Sequence, residues 1–336
     1  MSGKRWTALV IAVGLFFVSI VVNLATTALS TDFTSSLESM LETPANGVVE
    51  TILEEGSASK RIAVLEVNGV IQDTGDVASF FESPTYNHRQ FMDQLEVIKE
   101  DKTIQGVVLR VNSPGGGTAE SAQIHQKLVE LKEEAEIPVY VSMGSIAASG
   151  GYYISAPADK IFAMGETLTG SLGVIMQSLN YSGLAEEYGV EMVTIKSGPY
   201  KDILSPTREV TEEERNILQS MIDNSYEAFV DVIATGRDMS EAEVKRIADG
   251  RIYDGYQAKE NNLIDEFGYY EDALEALKKD HDLNGAQVFE YSTGMGFESL
   301  FSYSAQSVFG KDMESRMLMD FLSKSSGPRL MYLYAE

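Results

Sequence analysis

The order of apolar runs along this chain predicts an α/β fold with largely parallel strands. Three observations carry the expectation. Short runs rich in β-branched residues (Arg61–Ile71, Ile104–Asn112 and Pro138–Met143) alternate with stretches of helical periodicity. Glycine-containing segments follow the strand-like runs or sit at turns, where the backbone must reverse. The composition, 44% hydrophobic and 23% charged, is that of a globular protein. A length of 336 residues allows one large domain or two ordinary ones.

Lys4 and Arg5 precede an apolar stretch, Trp6 to Val22, that carries no charge, weakens through Asn23, Thr26 and Thr27 and ends near Leu29. About 20 apolar residues are needed to cross a bilayer as a helix. Residues 6–29 are therefore expected to be a transmembrane anchor. Asp32, Glu38, Glu42, Glu50, Glu54 and Glu55 follow it, with no Lys or Arg until Lys60. That charge asymmetry predicts a cytoplasmic N-terminus (1–5), a single pass through the cell membrane and an extracytoplasmic remainder. A cleaved signal peptide is the alternative, but Ala25–Ala28 is a poor cleavage site and the apolar run is long for one. Residues 30–60 are expected to form a stalk, rich in Ser, Thr, Glu and Gly, with room for a weak amphipathic helix around Ser36–Leu41 and Val48–Glu55.

The globular part is expected over 61–295. Helical spacing of Phe91, Leu95 and Ile98 predicts a helix at Arg89–Glu100, and Ile124, Leu128 and Leu131 predict another at Thr118–Ala135. Ala147–Ser155 reads as a short helix, Lys160–Met164 as a short strand, Ser182–Tyr188 as a helix and Glu191–Ile195 as a strand. A long helix is expected from Glu212 to about Thr235, with shorter ones near 240–248, 255–262 and 270–279.

Composition excludes several chemistries. The formal net charge of -25 argues against broad nucleic-acid binding. With no cysteine there is no thiol nucleophile, disulfide or zinc-thiolate site. His88, His125 and His281 lie far apart, so no histidine metal site is expected. No metal or organic cofactor is implied. His125 is expected on a helix surface, His88 in a polar turn and His281 at a solvated helix end.

Three segments carry the chemistry. Asn112-Ser113-Pro114-Gly115-Gly116-Gly117 follows a strand and offers bare N–H groups to an anion or oxyanion, although a tight turn into a helix also explains it. In Met143–Tyr152, Ser149 stands among small residues with Gly150 beside it. A nucleophile and an oxyanion donor would then be neighbours; tight helix packing is the plainer explanation. Leu168-Thr169-Gly170-Ser171-Leu172-Gly173-Val174 reads by itself as a polar turn.

Taken in order, these segments resemble the signal peptide peptidase A family of Ser-Lys peptidases, in its short single-repeat form. The resemblance spans about residues 60–275. It also rests on Gly198-Pro199-Tyr200-Lys201-Asp202, on Asp249-Gly250-Arg251-Ile252 with Ala258, and on Leu263–Gly268. It implies a crotonase-like or Clp protease-like superhelix of repeated β-β-α units. It further implies Ser149 as nucleophile, Lys201 as general base, Ser171 as the residue orienting the lysine, and Gly116 and Gly150 as oxyanion donors. A serine peptidase acting on short apolar peptides, above all remnant signal peptides, follows from it. So does a cyclic homo-oligomer in which active sites are shared between protomers. A lysine base must be neutral to accept the serine proton, which burial favours. Lys196 is the alternative base.

Rival readings remain on the sequence. A Ser-His-Asp α/β-hydrolase would need His281, the one histidine after Ser149. Ser57-Ala58-Ser59-Lys60 matches a Ser-x-x-Lys box but precedes a strand rather than opening a helix. A non-enzymatic peptide-binding scaffold, or a crotonase-type acyl-CoA enzyme, would use the same fold. Finally, residues 296–336 form an extension ending in the apolar Arg329–Glu336, too short to span a membrane. It is expected either to pack on its own domain or to lie as an extended strand in the peptide groove near Ser149.

Overall fold

The computed structural model describes residues 48–73, 86–293 and 330–334. Glu50–Tyr291 and the C-terminal residues 330–334 belong to one compact unit; Val48–Val49 and Ser292–Thr293 belong to another, of which nothing else is described. The expected transmembrane segment and most of the expected stalk and extension lie outside the described residues. Among the described residues no helix is long and apolar enough to cross a membrane.

A nine-stranded sheet is built from β1 (Val48–Glu54), β2 (Ser57–Asn68), β3 (Ile104–Ser113), β5 (Val139–Ala148), β6 (Lys160–Ala163), β7 (Leu168–Gly170), β8 (Ile252–Tyr253), β9 (Glu266–Phe267) and β10 (Ala286–Thr293). Its main order is β1-β10-β2-β3-β5-β6-β9, and β7 pairs with the end of β5 and with β8. Strands β10, β2, β3, β5, β6 and β9 run parallel along this order. Parallel neighbours need crossovers, supplied by α1 (His88–Glu100) between β2 and β3 and by α2 (Thr118–Glu133) between β3 and β5. Parallel sheets covered on both faces read as near-continuous apolar runs, which is why β2 and β3 stood out in the sequence.

The period of two divides each strand between the layers. Ala63, Leu65 and Val67 of β2 face a core shared with Phe91, Leu95 and Ile98 of α1 and Ile124, Leu128 and Leu131 of α2. Tyr152 of α3 (Gly150–Ser155) and Phe229 and Ile233 of α5 (Glu212–Gly236) join that layer. Ile62 and Val64 face the opposite side, against Ala273, Leu274 and Leu277 of α8 (Tyr270–Asp280). The remaining helices are α4 (Ser182–Glu187), α6 (Glu241–Ile247) and α7 (Gly255–Glu260). Capping boxes start three helices: Thr211 with Glu214 for α5, Ser240 with Glu243 for α6, and Asp254 with Gln257 for α7.

Several expectations are corrected. Val48–Glu55 holds strand β1 rather than a helix, because it is a sheet strand next to β10. Ala147 and Ala148 extend β5, where they pair with Ser113 and Gly170, so the helix begins only at Gly150. Glu191–Ile195 is not a strand: its residues are exposed, with Ile195 at 98%, and nothing in the described chain pairs with them. Strand β10 had no counterpart in the sequence reading; its partner β2 precedes it by some 220 residues, so only the fold brings them together.

Candidate active site

Ser149 sits at the junction of β5 and α3. Its φ of 53° and ψ of -113° place a non-glycine residue in a rarely populated region, so the fold around it must hold the strain. Its N–H donates to the Gly170 carbonyl at 2.8 Å, and its own carbonyl accepts from Tyr153 N at 2.8 Å. The residue is 1% exposed, and among the described residues its hydroxyl has no hydrogen-bond partner. Buried hydroxyls are normally paired, so an orphan at a strained strand-to-helix turn points to a reacting group.

The glycine segment lies directly against it. Gly115–Gly117 forms a short strand, β4, and the Ser113 hydroxyl accepts from Gly115 N at 3.1 Å to shape the entry. Ile71 holds the other edge: its N–H donates to Gly115 O at 2.9 Å and its carbonyl accepts from Gly117 N at 2.8 Å. A Cβ on Gly116 would lie 1.9 Å from that Ile71 carbonyl oxygen, so only glycine fits.

The apolar tail is seated on this strand. Residues Met331–Leu333 form β11, antiparallel to β4, with Tyr332 opposite Gly116. Thr118 N donates to Leu330 O at 3.4 Å and Tyr334 N to Pro114 O at 2.9 Å. The alternation of an antiparallel ladder then makes Tyr332 and Gly116 a hydrogen-bonded pair. On the tail's other edge Met331 exchanges two backbone hydrogen bonds with Ile175, both 3.0 Å. The point where a Cβ on Gly115 would sit is 2.0 Å from the Tyr332 carbonyl oxygen and 2.6 Å from Gly150 N. That carbonyl therefore lies in the corner between the two glycine segments. The Tyr332 ring, 2% exposed, stacks on Tyr153 at 4.8 Å and tilts against Phe229 at 4.7 Å, and its hydroxyl donates to Ser225 O at 3.0 Å. Burial holds that phenol well above its ordinary pKa, so it stays a neutral donor.

Ser171 is brought alongside by register. In β7, Gly170 pairs with Ala148, the residue before Ser149. Ser171 is buried at a φ of 51°, and its N–H donates to Arg251 O at 2.7 Å. Thr169 donates through Oγ1 to Ala147 O at 2.6 Å, a clamp between the two strands that sequence reading had not singled out. Asp249–Ile252 matters because β8 closes over β7 here; a Cβ on Gly170, whose φ is 81°, would meet the Tyr253 ring at 2.6 Å.

Lys201 is not in this cluster within one chain. It is exposed, makes no ion pair among the described residues, and forms no hydrogen bond to Ser149. Lys196 is committed elsewhere: Nζ donates to Pro199 O at 2.8 Å and to Asp202 Oδ1 at 2.5 Å. None of the histidines hydrogen-bonds to the Ser149 hydroxyl. His88 opens α1 and is buried between Tyr86 (2.6 Å) and Gln123 (2.7 Å), not in a polar turn, because the segment packs against α2. His125 is half-buried with its ring on the edge of Tyr153, and burial lowers its pKa, so it is not a surface residue. His281 is the exposed cap residue of α8. Ser57 lies inside β2, bonded to Ser59, and opens no helix. No cluster of potential metal ligands occurs among the described residues.

Comparison with known proteins identifies the class. The model of peptidase family S49 matches residues 131–284. A protein of Enterococcus faecium named as a signal peptide peptidase, SppA, is 45% identical over an alignment of 352 residues covering 99% of each chain. A protein of Methanocaldococcus jannaschii named as a protease is 38% identical over 224 residues, covering 67% of this chain and 71% of its own. Protease 4 of Salmonella typhi is 34% identical over 213 residues, covering 63% of this chain and 33% of its own. Fold and comparisons together define an α/β serine peptidase. The chain belongs to peptidase family S49.

Proposed function

We propose that the chain is a membrane-anchored endopeptidase in which Ser149 is the nucleophile and Lys201 the general base. Ser171 orients the lysine amine, and the N–H groups of Gly116 and Gly150 receive the oxyanion. The observation that carries this reading is the buried hydroxyl of Ser149, without a partner among the described residues, at a strained turn whose next residue, Gly150, lies against Gly115. In the reaction Ser149 Oγ attacks the peptide carbonyl while the neutral amine takes its proton. The two N–H groups stabilise the charge that develops on oxygen, and the ammonium so formed passes its proton to the leaving nitrogen as the C–N bond breaks. Water repeats the sequence on the acyl-enzyme.

The lysine arrives from a second copy. The segment that leads to Lys201 exposes Leu179, Leu184, Tyr188, Val190, Met192, Val193 and Ile195, an apolar arm that a neighbouring protomer would cover. Head-to-tail placement of such arms closes a ring in which each arm completes the next site. Substrates are short apolar peptides that add as a strand to β4, in the manner of β11. Remnant signal peptides fit this description, and the name of the Enterococcus relative favours them. The parallel sheet with its crossovers is read as a crotonase-like superhelix, and residues 6–29 as the anchor. A serine-directed phosphonylating reagent tests the assignment: the adduct is expected on Ser149, and an adduct on any other serine defeats it.

The tail is read as a substrate mimic. Its Tyr332 carbonyl lies in the corner between Gly115 and Gly150, where a scissile carbonyl belongs. Cleavage after Tyr332 would release Leu333–Glu336. Intact-mass measurement of wild type on incubation is expected to show loss of that tetrapeptide, with Ser149→Ala retaining it. A wild-type chain that keeps its full mass, with no gain in peptidase activity on deleting residues 329–336, rules the mimic out.

A further inference from the structure

We propose that Arg208 is the positioning residue of the Lys201 loop: it ties the loop to α5 and neutralises the carboxylate that follows Lys201. This rests on Lys201 being the base.

The geometry is that of a closed knot. Arg208 Nε donates to Asp202 Oδ2 at 2.9 Å, and Nη2 donates to Asp202 Oδ1 at 2.8 Å and to the Asp202 carbonyl at 2.9 Å. The same guanidinium grips Glu214 of α5, with Nη1 to Oε2 at 2.8 Å and Nη2 to Oε1 at 2.5 Å. Glu214 is 2% exposed and also accepts from Thr211 N at 2.9 Å as part of the cap of α5. Lys196 supplies a second cation to Asp202. The loop is further pinned through its backbone: Asn180 donates to Arg208 O at 2.7 Å, and Tyr181 N to Pro206 O at 2.9 Å. Two forks on one planar cation fix the loop in a way a lysine could not.

Electrostatics give the knot its second role. The charged and titratable groups around the loop are Lys196, Tyr200, Asp202 and Arg208 within it, and Glu213 and Glu214 from α5. Tyr200 hydrogen-bonds to Glu213. Tyr181 joins through its backbone. Hydrogen bonds from Arg208 and then Lys196 hold the Asp202 carboxyl far below the usual carboxylate range, and those from Arg208 do the same for Glu214. Of the three cations between 196 and 208, Lys201 alone has no ion pair among the described residues. A bare carboxylate beside a lysine favours the ammonium, and an uncompensated cation disfavours it. Arg208 thus spends the Asp202 carboxylate within the loop and leaves Lys201 exposed, with no ion pair among the described residues.

Opposite charge changes must therefore move catalysis in opposite directions. In full-length protein, kcat/KM for an apolar fluorogenic peptide is followed against pH, and the midpoint of its rising limb is read. Arg208→Gln leaves Asp202 and Glu214 under-compensated, so the midpoint is expected to rise by roughly one pH unit. Asp202→Asn leaves cations in excess, so it is expected to fall. Arg208→Lys keeps the charge but loses the fork: the midpoint holds while kcat drops about tenfold and KM changes little. If Arg208→Gln does not fold, because Glu214 is left buried and unpaired, Asp202→Asn alone decides. A midpoint unmoved in the foldable variants, or moved the same way by Arg208→Gln and Asp202→Asn, overturns the proposal. Lys201→Ala separates the two readings. Full activity there defeats the lysine as base, whereas an inactive Lys201→Ala with an unmoved limb in Arg208→Gln and Asp202→Asn defeats the positioning role alone.

Discussion

Replacing Ser149 by alanine is expected to lower peptide hydrolysis by about 10⁴-fold or more while leaving the fold intact. The Ser149 hydroxyl has no partner among the described residues, so removing it breaks no hydrogen bond and leaves no group newly unsatisfied. The strained backbone is held instead by the bonds from Ser149 N to Gly170 and from Tyr153 N to Ser149 O, which alanine keeps. Lys201→Ala should cost a similar factor, and because Lys201 is exposed and has no ion pair among the described residues, stability should again be unchanged. The two losses differ in one respect. If each site takes its serine from one protomer and its lysine from the next, mixing the two inactive variants before assembly should restore part of the activity. At equal ratios roughly a quarter of junctions would hold both wild-type residues, since each is present in half of the subunits. Mixed rings that remain inactive at every ratio would show that both residues act within one chain.

The second large effect is expected at Gly116. A methyl group there meets the Ile71 carbonyl at 1.9 Å, with the Ile71 carbonyl carbon at 2.6 Å and its nitrogen at 2.7 Å. All three are backbone atoms, so no rotamer change relieves the clash, and β4 or the segment around Ile71 must shift. Ile71 is bonded to Gly115 and Gly117 on either side, so the displacement carries the Gly116 N–H with it. Loss of one oxyanion donor costs about 10² to 10³ in rate. The overpacking itself should destabilise the fold by about 1–3 kcal/mol. Measured together, thermal unfolding and kcat for Gly116→Ala should show a folded protein with a rate loss well beyond what its unfolded fraction explains. Activity within tenfold of wild type would remove Gly116 from the oxyanion site.

Much of this protein was legible before any coordinates. Parallel strands covered on both faces must be continuous apolar runs, so β2, β3 and β5 announced themselves, and the spacing of Phe91, Leu95 and Ile98 marked α1. Ser149, Gly116 and Ser171 were marked as candidates by small-residue segments and by their resemblance to a known family, and the fold places Gly170 and the Gly115–Gly117 strand next to the turn that carries Ser149. The errors fall where partners are distant or external. Ala147–Ala148 has helical composition but pairs with Ser113 and Gly170. Val48–Glu54 lies beside a strand more than 230 residues away, and Glu191–Ile195 has no strand partner in the described chain. His88 and His125 looked polar in sequence, yet packing of α1 on α2 and of Tyr153 on α2 buries them in whole or part.

The sequence by itself therefore determined the fold class, the family and which residues are candidates for the chemistry, because periodicity and local motifs are short-range properties. Tertiary structure alone decided how those residues meet. It set Ser149 against Gly170 and Gly150 against Gly115, seated Tyr332 between Tyr153 and Phe229, and committed Lys196 and Arg208 to Asp202 while leaving Lys201 without an ion pair among the described residues. Those juxtapositions join segments tens to hundreds of residues apart. Their physical cause is the close packing of a twisted parallel sheet and its crossovers, which no local pattern encodes.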